Sequence, residues 1–225
     1  MNKIILAIIS GLGVALSFNF PNFSFLIWFS LTPLFFILSK KRSLKHSFSF
    51  LIFGFIYYGV SLYWVAYVSV LGYFLLISYL SLLYLVFYFL GSFFIKRPLR
   101  CLTIPFLWVM IEFLKESIWC GFGWANLGYS QFNNLYLIQI ADLGGTKLIS
   151  FVIVLVNFLI WRILIINKNE KDKNIFKLIL NKLGLILIIF ITILTYSFYK
   201  LNKIEAKEKI EISVVQTNIL DKHLL

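Results

Sequence analysis

Three ionisable residues, Glu112, Lys115 and Glu116, interrupt an otherwise apolar stretch at spacing i, i+3 and i+4. On a helix that spacing puts them on one face. A carboxylate held among apolar side chains costs about 2.5 kcal/mol or more at the centre of a membrane. Glu112 must therefore face a polar cavity, pair with Lys115 and snorkel outward, or carry a proton. Each arrangement is a different chemistry: a ligand contact, a neutralised structural pair, or a proton store. Glu116, nearer the end of the stretch, reads as solvated.

Downstream runs the segment 119–131, with Gly121, Gly123 and Gly128 among Trp119, Trp124, Asn126, Tyr129 and Gln131. The glycines permit tight turns and close approach, and the aromatic residues have the apolar body and polar tip that suit a lipid headgroup layer. Asn126 and Gln131 add uncharged donors suited to lipid esters or phosphates. The alternative is an aromatic belt over a folded loop. The candidate lipid- or substrate-binding residues are Glu112, Trp124, Asn126, Tyr129 and Gln131, and no residue is assigned as catalytic. Further on, Thr146 follows Gly144-Gly145 and is placed to cap a helix.

Metal and thiol chemistry find no support, and no cofactor is expected. His46 and His223 fall on opposite predicted sides of the membrane. Cys101 and Cys120 sit at the two ends of one predicted helix, nearly 30 Å apart at about 1.5 Å per residue, too far for a disulfide. Cys120 has no histidine near it in sequence to activate it and reads as a small interface residue.

The elements that position these residues follow from composition. Of 225 residues 61% are hydrophobic and only 13% charged, 25 being Phe. A soluble domain of that length lacks the polar surface to stay dispersed. Disordered, collagen-like and disulfide-scaffold classes are excluded by the same figures. Apolar runs near the 20 residues needed to cross about 30 Å of hydrocarbon occur at 4–20, 23–39, 48–68, 70–95, 101–120, 146–166 and 180–199. The expectation is an all-α polytopic membrane protein of about seven transmembrane helices, its first two joined across Pro21-Asn22. A cleaved signal peptide is the alternative for the first run, and the short turn to the next run favours a retained hairpin.

The net charge of +12 is explained by placement rather than by nucleic acid. Fourteen of the 21 basic residues fall in alternate connections, at Lys3, Lys40–Lys45, Lys96–Arg100 and Arg162–Lys182, and the intervening turns and the loop 121–145 hold none. Cationic loops stay in the cytoplasm, so the N-terminus is placed inside and the tail outside. The domain division is 1–199, transmembrane, and 200–225, a polar linker followed by an alternating strand pattern from Ile210 to Ile219. One strand cannot satisfy its own edges, so the tail reads as opening a further domain, completed by missing sequence or by another chain.

Together these segments resemble the membrane part of apolipoprotein N-acyltransferase. The resemblance rests on Phe20-Pro21 with Trp28 and Pro33, on Gly54, Gly59 and Trp64, and on Trp108 with Glu112. It continues through Gly121-Phe122-Gly123-Trp124, Leu127-Gly128-Tyr129-Ser130-Gln131 and Gly144-Gly145. Val214-Val215-Gln216-Thr217-Asn218-Ile219 resembles the first strand of the family's nitrilase-like domain. Gly123, Lys115 and Thr217 depart from the usual proline, arginine and glycine. The resemblance implies a bacterial inner-membrane enzyme that moves an acyl chain from phospholipid to the N-terminal diacylglyceryl-cysteine of lipoproteins, by way of a thioester. Its partners would be a phospholipid donor and a lipoprotein acceptor. The family's catalytic Glu, Lys and Cys fall beyond the first strand and match no residue here, so this chain is expected to be inactive alone. A non-catalytic membrane partner completed in trans by a separate catalytic chain is the second reading. A small transporter is the third, disfavoured because Glu112 and Lys115 are nearly alone among the spans.

Overall fold

A computed structural model describes residues 2–118, 121–169 and 175–203, with Ser213. The proposed C-terminal strand, His223 and Cys120 lie outside the described residues, apart from Ser213. The described residues are helical, with no strand among them. In chain order the helices are α1 (Lys3–Asn19), α2 (Ile27–Ser30), α3 (Thr32–Leu38), α4 (Leu44–Ser61), α5 (Val70–Phe94), α6 (Arg100–Ser117), α7 (Leu135–Ile138), α8 (Ala141–Asn169) and α9 (Ile175–Lys203).

Four helical stretches are both long and apolar enough to cross a membrane: Pro21–Leu38, Val70–Phe94, Ala141–Ile165 and Leu178–Lys203. Helix α1 is apolar but 17 residues long. Helices α4 and α6 have 18 residues each, and α6 carries Arg100, Glu112, Lys115 and Glu116. Among the described residues every apolar run of the sequence falls mainly in helix, while four stretches reach spanning length and hydropathy by themselves.

The helices pack as neighbours, α1 beside α4 with the two running the same way, and α4 on α5, α5 on α6 and α6 on α8 running opposite ways. Helices α4 and α5 approach closely at Gly54, where a Cβ would stand 2.9 Å from the Ser81 Cα. Small residues serve this purpose where lipid removes the hydrophobic drive for helix association and packing must supply it. Around that contact Phe53, Tyr84, Phe87 and Trp108 form an aromatic core, with Tyr84 and Phe87 centroids 5.3 and 5.0 Å from that of Trp108.

The helical stretch beginning at Pro21 is broken between α2 and α3. The Asn157 side chain of α8 enters the break. Its Oδ1 accepts the Leu31 and Thr32 N–H groups at 2.9 and 3.1 Å, and its Nδ2 donates to the Ile27 carbonyl at 2.8 Å. The amide therefore replaces the Ile27–Leu31 rung of the helix ladder, so the interruption leaves these backbone groups satisfied. Helix α8 has its own break near its start, where Gly144 and Gly145 leave helical geometry and Gly145 takes φ +62°.

Candidate functional site

The three ionisable residues of α6 meet the loop that follows it. Glu112 is buried. Its Oε1 accepts the Trp108 indole N–H at 3.2 Å, one helical turn back, and the Leu127 backbone N–H at 2.9 Å. Its Oε2 lies 4.0 Å from the Lys147 Nζ on α8. The carboxyl is turned inward and covered by the loop, bonded to Trp108 and Leu127 and close to Lys147.

Lys115 is only 1% exposed, so it does not snorkel. Its Nζ donates to the Trp124 carbonyl at 2.5 Å and the Ala125 carbonyl at 3.2 Å. The Tyr58 ring faces the same ammonium, centroid 5.5 Å away. Tyr57 donates its hydroxyl to the Ala125 carbonyl at 2.6 Å. Ala125 is the one described non-glycine residue with positive φ, +57°. A left-handed residue with a Cβ costs about 1–2 kcal/mol, and the two donors on its carbonyl hold it there.

Glu116 is half-exposed, ion-paired to Lys147 and hydrogen-bonded by the Asn126 Nδ2. The cluster thus contains two acids and two lysines drawn from α6 and α8. This near-neutral count lowers the cost of burying them, provided hydrogen bonds complete each group. Gly128 closes the loop onto α8. Its N–H donates to Ser150 Oγ at 2.9 Å, and a Cβ on it would fall 2.4 Å from the Thr146 carbonyl oxygen.

The structure divides the five candidate binding residues. Asn126 and Gln131 are buried, at 0% and 1% exposure, and their amide donors are committed to the protein. Asn126 serves Glu116, and Gln131 Nε2 donates to the Ser24 carbonyl at 3.0 Å and Ser130 Oγ at 3.2 Å. In this structure their donors are not offered to lipid esters as sequence reasoning expected; they fix the loop against α6 and the first hairpin. Trp124 and Tyr129 are exposed. Trp124 packs with Trp64 and Phe122 at centroid distances of 6.0 and 6.1 Å, forming an aromatic ridge over the buried charges. Sequence reasoning missed Lys147 as a partner and Tyr57 as a donor. The signal for Lys147 was its charge inside an apolar run; nothing local marked Tyr57.

Among the described residues no cluster of His, Cys, Asp and Glu could hold a metal, and Cys101 is a half-buried free thiol. A groove of about 410 Å³ between Trp28, Phe29, Val156, Ile160, Ile186 and Phe190 is almost wholly apolar.

The fold and site define a helical membrane protein that folds a loop over buried charges at one end of its bundle. Comparison with known proteins is specific: the description of the apolipoprotein N-acyltransferase N-terminal domain matches residues 10–159. The chain belongs to the apolipoprotein N-acyltransferase family. It is 31% identical over 118 residues to the apolipoprotein N-acyltransferase of Geobacter metallireducens, covering 52% of this chain and 22% of that one. To that of Wigglesworthia glossinidia brevipalpis it is 30% identical over 139 residues, covering 60% and 25%. To that of Rhodopirellula baltica it is 44% identical over 57 residues, covering 25% and 10%. The chain spans about a quarter or less of the length of these curated relatives.

Proposed function

We propose that these residues form the membrane platform of an N-acyltransferase reaction in which an acyl chain passes from phospholipid to the N-terminal diacylglyceryl-cysteine of a lipoprotein. The observation that carries the reading is the loop 121–131, held rigidly from below by Glu112 and Lys115 while it exposes Trp124 and Tyr129. An aromatic surface with a polar edge suits the boundary between acyl chains and headgroups. The apolar groove beside Trp28 and Phe190 suits an acyl chain approaching from the bilayer. Seven membrane crossings, with the N-terminus in the cytoplasm of a bacterial inner membrane, put this loop on the outer face, where the lipoprotein acceptor is presented.

The test is photocrosslinking of the chain in phospholipid nanodiscs with a diacylglyceryl-cysteine peptide bearing a diazirine on its first residues. Crosslinks are expected at 121–131, falling about fivefold in W124A/Y129A, as for loss of aromatic contacts. Crosslinks unaffected by that variant, or confined to the opposite end of the bundle, would refute the proposal.

A further inference from the structure

At the end of the bundle opposite the loop, four segments enclose a cavity of about 490 Å³. The end of α3 and its following turn supply Phe36, Ser39 and Lys40. The turn after α5 supplies Ile95 and Lys96, α6 begins there with Arg100, and α8 adds Trp161 and Ile165. Three cations thus converge from two connections, Lys40 after α3 and Lys96 and Arg100 between α5 and α6, and among the described residues they take part in no ion pair. Arg100 is also the first residue of an 18-residue helix, whose dipole adds to the positive field. Beside them the Trp161 side chain, 2% exposed, buries an indole N–H with no hydrogen-bond partner.

A neighbouring cavity shows how cations look when they are otherwise engaged. There Arg42 and Arg97 join Lys96, but their guanidinium carbons sit 4.4 and 4.5 Å from the Phe89 and Phe93 ring centroids. In the larger cavity Arg100 has only a 3.4 Å hydrogen bond to the Ile95 carbonyl.

We infer that the larger cavity binds the phosphate headgroup of an anionic phospholipid. Lys40, Lys96 and Arg100 supply the charge, and Trp161, whose buried indole N–H has no hydrogen-bond partner, lines the same space. Phe36, Ile95 and Ile165 line the same space and give the glycerol and first methylenes an apolar wall. A soluble phosphate would leave that wall unused, whereas a lipid uses both halves. Basic groups clustered near an anionic lipid surface add their attractions, so the three together favour an anionic over a zwitterionic lipid. The inference rests on the membrane reading of the helices and is independent of the acyl-transfer proposal.

Native mass spectrometry of the full 225-residue chain, released from detergent with equimolar phosphatidylglycerol and phosphatidylcholine, tests it. The phosphatidylglycerol adduct is expected to dominate, and K40Q/K96Q/R100Q to reduce it about tenfold or more. R42Q/R97Q should leave it within about twofold, because those two groups are held by aromatic rings. The charge-preserving K40R/K96R/R100K should retain it, which separates lost charge from lost fold. Millimolar inorganic phosphate should not displace it. Equal retention of the two lipids, equal loss in R42Q/R97Q, loss in the charge-preserving variant, or displacement by phosphate would each overturn the inference.

Discussion

The Glu112 carboxyl accepts the backbone N–H of Leu127 at 2.9 Å, joining the middle of α6 to a loop fifteen residues onward. Three residues along, Lys115 holds the same loop by two carbonyls. One helix face thus presents an acceptor to the loop's N–H groups and a donor to its C=O groups. Helix α6 thus pins the loop through both kinds of backbone group.

This arrangement predicts strong coupling between the two side chains. Lys115→Met leaves the Ala125 and Trp124 carbonyls without their donor and removes a cation from beside a buried carboxyl, a change of about 3–5 kcal/mol for a broken buried charge set. Glu112→Gln keeps an acceptor for Leu127 and costs less. The double variant is expected to be less destabilised than the sum of the two by about 1–3 kcal/mol. Thermal unfolding of the four proteins in one detergent measures the cycle; strict additivity would mean that the two residues act separately.

Much of this was legible in the sequence, and the limits are physical. Length and apolar character set the helices, and the isolated Glu112, Lys115 and Glu116 marked the site because charge is costly among apolar neighbours. Partners from distant elements left no local trace: Tyr57 on α4 and Lys147 on α8 reach the site only through packing. Asn126 and Gln131 show a related limit. A neutral amide in a loop has the composition of a surface ligand, and only the fold shows that Glu116 and the Ser24 carbonyl already occupy it.

Asn157 is the second place where a distant side chain completes a backbone. Asn157→Leu orphans the Leu31 and Thr32 N–H groups and the Ile27 carbonyl. At about 1–3 kcal/mol for each unsatisfied buried group, partly offset by relaxation, a loss of roughly 2–5 kcal/mol is expected. Amide hydrogen exchange should accelerate first at residues 31 and 32. Unchanged exchange there would show that the break in the hairpin needs no partner.

Gly128 is predicted to be intolerant of any side chain. A Cβ there meets the Thr146 carbonyl oxygen at 2.4 Å, a backbone atom that cannot rotate away. Gly128→Ala should cost about 1–3 kcal/mol through displacement of the loop from α8. Trp124 fluorescence and the melting temperature would both shift; a variant that melts like the parent would mean the loop moves freely.

His46, in the first turn of α4, predicts a pH dependence at the basic end. Burial is the largest influence and lowers its pKa from the ordinary 6.5; the nearby Lys3 and Lys40 push it the same way, while the Lys41 carbonyl, 2.8 Å from Nδ1, opposes them. The folded imidazole therefore releases its proton more readily than the unfolded one. Below pH 6.5 the unfolded state binds more protons, so stability falls as pH drops from 6.5 through the lowered folded value, and is complete above 6.5. His46→Gln should flatten that part of the melting-temperature profile between pH 7.5 and about 5. Identical profiles for the two proteins would assign the dependence to other groups.

The proposed sidedness predicts opposite labelling at two positions on the two ends of the bundle. Ser43 precedes α4 among Lys40, Lys41, Arg42 and Lys45, whereas Asn133 lies between the loop and α7, in the segment 121–145 that carries no Lys or Arg. Retaining basic connections in the cytoplasm places Ser43 inside and Asn133 outside. In a background with Cys101 and Cys120 replaced by serine, Asn133→Cys should react with a membrane-impermeant maleimide in intact cells, and Ser43→Cys only after permeabilisation. The reverse pattern would invert the bundle and turn the aromatic ridge to the cytoplasm, which is incompatible with an acceptor presented on the outer face. Equal reactivity at both positions in intact cells would rule out a single orientation.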